Sequence, residues 1–206
     1  MDGNNRWSKK NNFSNYDSYN FGAEKLIKLS NYLFSNYELS FISAFALSRN
    51  NLNRSNSVLK TIKRVLYYSL LSLEKKNIEF DINFIGSFDF LDLKTKNKIN
   101  QVNKKNRFKK KLIIYINYGG REDIQQAVFK SKDKNIAFKN KLLTKNIPDP
   151  DILIRTGGYQ RISNFLLYQI AFTELFFFRK LWPDLQYSDL KKVIENFYKI
   201  ERKFGK

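Results

Sequence analysis

The sequence predicts an α/β fold, a single domain over 1–206 with a mostly parallel central sheet and helices on both faces. Three observations predict it. Apolar runs of strand length alternate along the chain with longer runs at helical spacing. Two of the strand runs stop at Gly-Gly pairs, 119–120 and 157–158. The 206 residues, 42% hydrophobic and 16% aromatic, are enough to bury one sizeable core.

LSFISAFAL (39–47) is a strand run that ends in the polar SRNN. From 55 to 76, Val58, Ile62, Val65, Leu66 and Leu70 recur at helical spacing, with Ser55 or Ser57 as the cap. IEFDINFIGS (78–87) alternates as a strand should, and a polar, Lys-rich helix is expected from about Phe90 to Asn106. KLIIYINYGG (111–120) is a strand stopped by glycines, and REDIQQAVFK is the helix after it. DILIRTGG (151–158) repeats the pattern of a strand with a Gly stop. FFF (176–178) is a short last strand, and 188–204 is a closing helix. The low-complexity stretch KTKNKINQVNKKNRFKKK (94–111) reads as a solvated helix and turn rather than as a nucleic-acid patch.

Composition narrows the chemistry. There is no cysteine and no histidine, which excludes disulfides, thiolate metal sites and imidazole acid–base catalysis. The formal net charge is +19, which suits nucleic acid, an anionic membrane surface or phosphate-rich substrates. A compositional drift toward Lys, Asn, Ile, Phe and Tyr accounts for much of that charge equally well. Only ten of the 38 basic residues are arginine, so each arginine carries more information than each lysine. No apolar run is long enough to span a bilayer, and no signal peptide or lipidation motif is present. A cytoplasmic protein is expected, with peripheral membrane contact open to it.

The arginines gather at predicted strand ends. Ser48, Asn51 and Arg54 follow the first strand, and Arg121 follows Gly119 and Gly120. Arg155, Gly157, Gly158, Arg161 and Ser163 follow the 151 strand, and the chain opens with Asp2, Gly3, Asn4 and Arg6. Ligands of open parallel sheets bind beyond the carboxyl ends of the strands. Guanidinium forks with glycine N–H groups make an inventory for phosphate, each charge-assisted contact contributing roughly 1.5–3 kcal/mol. Asp2 and Glu174 could hold Mg²⁺ against phosphate oxygens. The plainer alternative pairs each arginine with a surface acid and Glu174 with a local partner. No GxxxxGK[ST] loop occurs.

With those residues in hand, the chain resembles the cis-prenyltransferase family, of the undecaprenyl diphosphate synthase type. MDGNNRWSKK (1–10) matches the family's MDGNxRWxK, and NYGGREDI (117–124) matches NYGGRxDI. The block from Asp151 through Asp184 matches DLxIRTGGExRISNFLLWQIAYxELxF…LWPD with few changes. Weaker agreement covers FALSRNNLNR (45–54) and ERKFG (201–205). The resemblance implies condensation of isopentenyl diphosphate onto an allylic diphosphate, usually farnesyl diphosphate, with Mg²⁺ as cofactor. The product would be a cis-polyprenyl diphosphate, the precursor of an undecaprenyl-type lipid carrier. It also implies a homodimer, and a hydrophobic tunnel for which helix 58–73 and the Phe/Leu-rich strands are candidate walls.

Carried over by position, Asp2 is the metal-linked catalytic aspartate and Asn51 is catalytic. Gly3, Asn4 and Arg6 hold the allylic diphosphate, with Trp7 lining that site. Ser48, Asn51 and Arg54 lie on a mobile loop, Arg155, Arg161 and Ser163 hold isopentenyl diphosphate, and Glu174 shares the metal.

Four departures stand against the family pattern. The family has an apolar strand directly before MDGN, which this sequence lacks. Its loss would unpair two neighbouring strands, and a start codon assigned too late or a truncated chain is the expected reason. Asn5 replaces a glycine, Asn15 and Tyr19 replace Arg and His, and Tyr159 replaces the acid of GGE. An active synthase is the expectation. The alternatives are a weak or inactive member serving as one subunit of a two-component synthase and, behind it, a basic nucleic-acid-binding protein.

Overall fold

The structure, a computed structural model, describes residues 1–53, 55–73, 75–129 and 136–203. In chain order the elements are α1 (Asn4–Lys10), α2 (Asn15–Asn36), β1 (Phe41–Ser48), α3 (Asn56–Leu73), β2 (Asp81–Gly86) and α4 (Leu93–Asn103). β3 (Lys111–Tyr118), α5 (Gly120–Phe129), β4 (Ile152–Arg155), β5 (Glu174–Phe177) and α6 (Tyr187–Phe197) follow. Every expected strand and helix is present. The closing helix stops at Phe197, short of the expected 204.

β3 is the central strand, paired in parallel with β1 on one side and β2 on the other. Its run KLIIYINY is apolar without alternation because both faces are covered, the pattern of a buried parallel strand. Leu112 and Tyr115 are fully buried. One face packs on α2, α3 and α4 through Leu26, Phe34, Leu70, Ile99 and Ile114. The other face, with Ile113, Tyr115 and Tyr118, is covered by Phe165, Leu166 and Ile170 from a turn-rich stretch and by α5, whose Asp123 accepts from the Tyr118 hydroxyl at 3.0 Å.

The sheet is divided. β4 and β5 pair in parallel with each other, but not with β1. β1 and β4 each keep one unpaired edge, and both line the same cavity of about 1670 Å³. Consecutive residues of β1 and of β4 line it, although side chains alternate between faces along a strand. The two strands therefore turn their open edges, and not one side-chain face, toward this space.

Two helices were not legible in the sequence, and α2 is the longer. Its inward series runs Ser18, Gly22, Leu26, Ser30 and Phe34, so three of five positions at i+4 spacing carry no apolar side chain. Small residues are needed there. A Cβ on Gly22 would lie 2.5 Å from Asn4 Oδ1, and the Gly22 carbonyl accepts a 3.0 Å hydrogen bond from Trp182 Nε1. Ser14 caps the helix, its Oγ accepting from the Asp17 N–H at 3.1 Å.

Candidate active site

The chain start and the end of β4 are fastened together by backbone and hydroxyl groups. Thr156 Oγ1 accepts from the Asp2 N–H at 3.1 Å and donates to the Asp2 carbonyl at 2.9 Å. The Trp182 N–H donates to the same carbonyl at 2.9 Å. Gly3 follows with φ of 110°, and a Cβ there would meet Leu181 at 2.8 Å, so only glycine fits. This clamp sets α1 beside the carboxyl end of β4, and it aims Asp2 and Arg6 at Arg155.

Five predicted residues then converge. Arg155 Nη2 donates to Asp2 Oδ2 at 3.0 Å, and Arg6 Nη2 approaches Asp2 Oδ1 at 3.4 Å. Arg155 Nη1 donates to Ser163 Oγ at 2.6 Å and to the Arg161 carbonyl. The Arg155 side chain is only 13% exposed, whereas those of Asp2 and Arg6 are open to solvent at 37% and 46%. The guanidiniums of Arg161, Arg6 and Arg155 all lie over the ring of Tyr159, at 4.1, 5.1 and 5.7 Å from its centroid. Each such contact contributes about 0.5–1 kcal/mol at an exposed site. Three guanidinium charges thus face one carboxylate, an arrangement suited to a polyanion.

Ser48, Asn51, Gly3, Asn4, Asp2, Arg6, Arg155 and Ser163 all line the large cavity, and Tyr159, Arg121 and Tyr19 line it with them. Ser48 ends β1 level with Tyr118, and Asn51 lies in the 3-10 turn Arg49–Asn53 that follows. Arg54 lies outside the described residues. The far wall is apolar, with Ile62, Val65 and Leu66 of α3 facing Leu26, Ile27 and Leu33 of α2. Part of its 1670 Å³ or so lies between the open edges of β1 and β4, so it is the apolar wall from α2 and α3, and not the volume, that suits a long hydrocarbon chain.

Three expectations are corrected by the geometry. Trp7 does not line the cavity; its indole is stacked between Phe13 and Phe21 at 5.1 and 5.4 Å, and Nε1 donates to Asp184 at 2.8 Å. Glu174 does not reach Asp2. It opens β5 opposite Ile152, whereas Arg155 pairs with Phe177 three residues further on, about 10 Å along the strand. Nor are all the glycine N–H groups open to a ligand. Those of Gly157 and Gly158 bond the carbonyls of Lys180 and Phe178, and that of Gly120 bonds the Asn164 carbonyl. These glycines serve close approach instead: a Cβ on Gly157 would lie 2.5 Å from Arg6 Nη2, and one on Gly120 2.8 Å from Leu167.

Asn5 needs no special backbone. It lies in the first turn of α1 and is absent from the residues with positive φ, so exchange for glycine costs the site no conformation. Two organising residues escaped the sequence reading. Thr156 holds Asp2, as described. Asn164, at φ of 63°, ties the turn after β4 to α5, its Oδ1 accepting from the Arg121 N–H at 2.8 Å and its Nδ2 donating to Glu122 at 3.0 Å. The one signal for each was its place inside the RTGGYQRISN block.

The donor set fits Mg²⁺ only in one form. Among the described residues no three acidic side chains form a cluster. Asp2 is solvent-open and sits among the guanidiniums, so it fits as a single carboxylate on an ion whose other ligands are phosphate oxygens and water. Glu174 does not fit as its partner within one chain.

Comparison with known proteins decides the family. A sequence model of the undecaprenyl diphosphate synthase family matches residues 1–205. The chain belongs to the cis-prenyltransferases. An isoprenyl transferase of Thermotoga maritima is 35% identical to it, over 100% of this chain and 94% of that one. Another, from Fusobacterium nucleatum, is 36% identical, over 100% of this chain and 93% of its own. The fold is shared with lavandulyl diphosphate synthase of Lavandula x intermedia, solved with dimethylallyl diphosphate, at a TM-score of 0.86 and 27% identity. That likeness covers 100% of this chain and 95% of the other. This cis-prenyltransferase is a prenyl-transferring enzyme by family, and among its described residues no helix is long and apolar enough to cross a membrane.

Proposed function

We propose that this cis-prenyltransferase condenses isopentenyl diphosphate onto an allylic diphosphate, with farnesyl diphosphate as the primer, and lengthens a cis-polyprenyl chain. The product would be the precursor of an undecaprenyl-type lipid carrier. One observation carries the reading: the cluster of Asp2, Arg6, Arg155, Arg161 and Ser163 stands beside an apolar-walled cavity of about 1670 Å³. Charge for a diphosphate and room for its growing tail meet in one place.

In the reaction a carbon–carbon bond forms, the C–O bond to the allylic diphosphate breaks, and one proton leaves the isopentenyl unit. Such a step needs positioning and stabilisation of the departing charge rather than a covalent nucleophile. A chain without Cys or His can supply both. Arg6, at the start of α1, faces the allylic diphosphate. Arg155 at the end of β4, with Arg161 and Ser163 after it, holds the isopentenyl diphosphate. Asp2, between them, is the residue that would hold Mg²⁺, and bound there the ion would neutralise phosphate charge. The reading extends to a homodimer in the cytoplasm with peripheral membrane contact, where an apolar product is delivered.

Incubation of the purified chain with farnesyl diphosphate, labelled isopentenyl diphosphate and Mg²⁺ tests the proposal. Labelled product longer than the primer is expected. A folded sample that incorporates no label with farnesyl or dimethylallyl diphosphate overturns it. A second reading, one subunit of a two-component synthase, rests on the open edges of β1 and β4 and on the distance of Glu174 from Asp2. Turnover by the chain alone rules that reading out.

A further inference from the structure

Tyr159 stands where the resembling motif has an acid, and the structure gives it a place of its own. Its ring is where the guanidiniums of Arg161, Arg6 and Arg155 meet, at 4.1, 5.1 and 5.7 Å from the centroid. These arginines come from two separate pieces of chain: Arg6 from α1, and the others from the end of β4 and the turn after it. Such charges repel one another, and Asp2 is the carboxylate that opposes them. Among the described residues Arg161 meets the ring and no carboxylate.

An acid at position 159 would draw these groups together as ion pairs, and each pair would occupy a guanidinium fork and cancel a charge. An aromatic face attracts guanidinium through its quadrupole while leaving the in-plane N–H donors free. Room for this packing comes from Gly157, whose φ of 92° and missing Cβ let Arg6 come close.

We propose that Tyr159 is a positioning residue that collects Arg6, Arg155 and Arg161 on its ring into one diphosphate cradle without adding a second carboxylate to them. The inference rests on the elongation reading for the identity of the ligand class. It goes further in joining the two substrate subsites through one side chain, so that loss of the ring weakens both.

Calorimetric titration of inorganic pyrophosphate into the full chain tests this without need of turnover. Thermal unfolding of each variant checks its fold. The wild-type chain should bind, Tyr159→Phe should bind within about threefold of it, and Tyr159→Leu and Tyr159→Glu at least about tenfold more weakly. In steady-state assays Tyr159→Leu should raise both substrate KM values together, with kcat changed less. Tyr159→Leu binding like wild type, or Tyr159→Phe losing as much as Tyr159→Leu, overturns the proposal. Where Tyr159→Leu does not fold, the Phe and Glu variants decide between them, and equal affinity of those two overturns it. A wild-type chain that neither binds pyrophosphate nor extends a primer defeats the elongation reading and the cradle with it. One that does both, with Tyr159→Leu unchanged, defeats the role of Tyr159 alone.

Discussion

Arg155 and Asp2, 153 residues apart in the chain, meet in a 3.0 Å ion pair. Arg155 is held from its other side by Ser163 and the Arg161 carbonyl, so it has little freedom to follow Asp2 if Asp2 moves. The fixed partner is the arginine that ends β4. Asp2 is the more exposed member, and in the proposed reaction it is the one that would exchange a guanidinium for a metal-bound diphosphate.

Asp2→Ala should therefore remove turnover while leaving the fold. Loss of a charge stabiliser at the reacting groups typically costs about 10²–10³ in kcat, and loss of a one-third-exposed carboxylate has little effect on stability. Single-turnover kinetics with a parallel thermal melt measures the two effects. Turnover at the wild-type rate would remove Asp2 from the mechanism.

Arg161→Ala should raise the KM for isopentenyl diphosphate about tenfold and the allylic KM far less. Its guanidinium is exposed, stacked on Tyr159 and unopposed by an acid among the described residues, so its charge is available to a ligand on the β4 side. Initial-rate measurements with each substrate varied in turn give the answer. Equal rises in both values would take Arg161 out of that subsite.

Strands were legible in this sequence because parallel strands buried on both faces are written as apolar runs, and KLIIYINY of β3 is such a run. The inner face of α2 uses Ser18 and Gly22 in its first half, so its apolar periodicity starts only at Leu26, Ile27 and Leu29 and does not mark where the helix begins. The stretch after β4 was equally opaque. Ser163, Asn164 and Leu166 take φ values of 52°, 63° and 49°, and nothing in the propensity of a buried leucine announces a left-handed backbone. Motif position pointed to Asp2, Arg6, Arg155, Arg161 and Ser163, and these side chains are neighbours in the fold. It could not show that Glu174 opens β5 opposite Ile152, because a linear motif carries no strand register, or that Trp7 stacks on Phe13 and Phe21, which lie outside the motif.

The apolar wall makes a prediction about product size. Leu66 on α3 lines the cavity together with Ile62 and Val65. Leu66→Trp should shorten the main product by at least one isoprene unit and leave the first condensation within about threefold of wild type. Chromatography of the labelled polyprenols reads this directly. An unchanged product length would place the chain elsewhere.

Gly86 tests the β2–β3 pairing. It ends β2 at φ of 130°, and a Cβ there would lie 1.8 Å from the Ile116 carbonyl oxygen in β3. That neighbour is backbone in the central strand and cannot turn aside. Gly86→Ala should cost about 3 kcal/mol, combining backbone strain with lost pairing. Urea unfolding gives the number, and a loss below about 1 kcal/mol would contradict the close approach.

The last prediction concerns acid. Burial acts to raise the Asp189 carboxyl, but Lys180 Nζ donates to both its oxygens at 2.7 and 2.8 Å, and the Gln186 N–H donates at 2.8 Å. These contacts prevail and hold the group below its ordinary value of 3.8. A depressed folded value means that the unfolded chain binds the proton first. The stability contributed is whole above the unfolded value and is lost as pH falls through the folded one. Asp189 also completes the capping box of α6 with Gln186. Asp189→Asn should thus cost about 1–2 kcal/mol at neutral pH, from a weakened cap and a lost charge-assisted contact. The difference from wild type should shrink as pH falls through the unfolded value of 3.8 and toward the lower folded one. Unfolding curves at pH 7 and pH 3 measure both values, and a gap that persists undiminished in acid would show that the cap, not the charge, carries the whole effect.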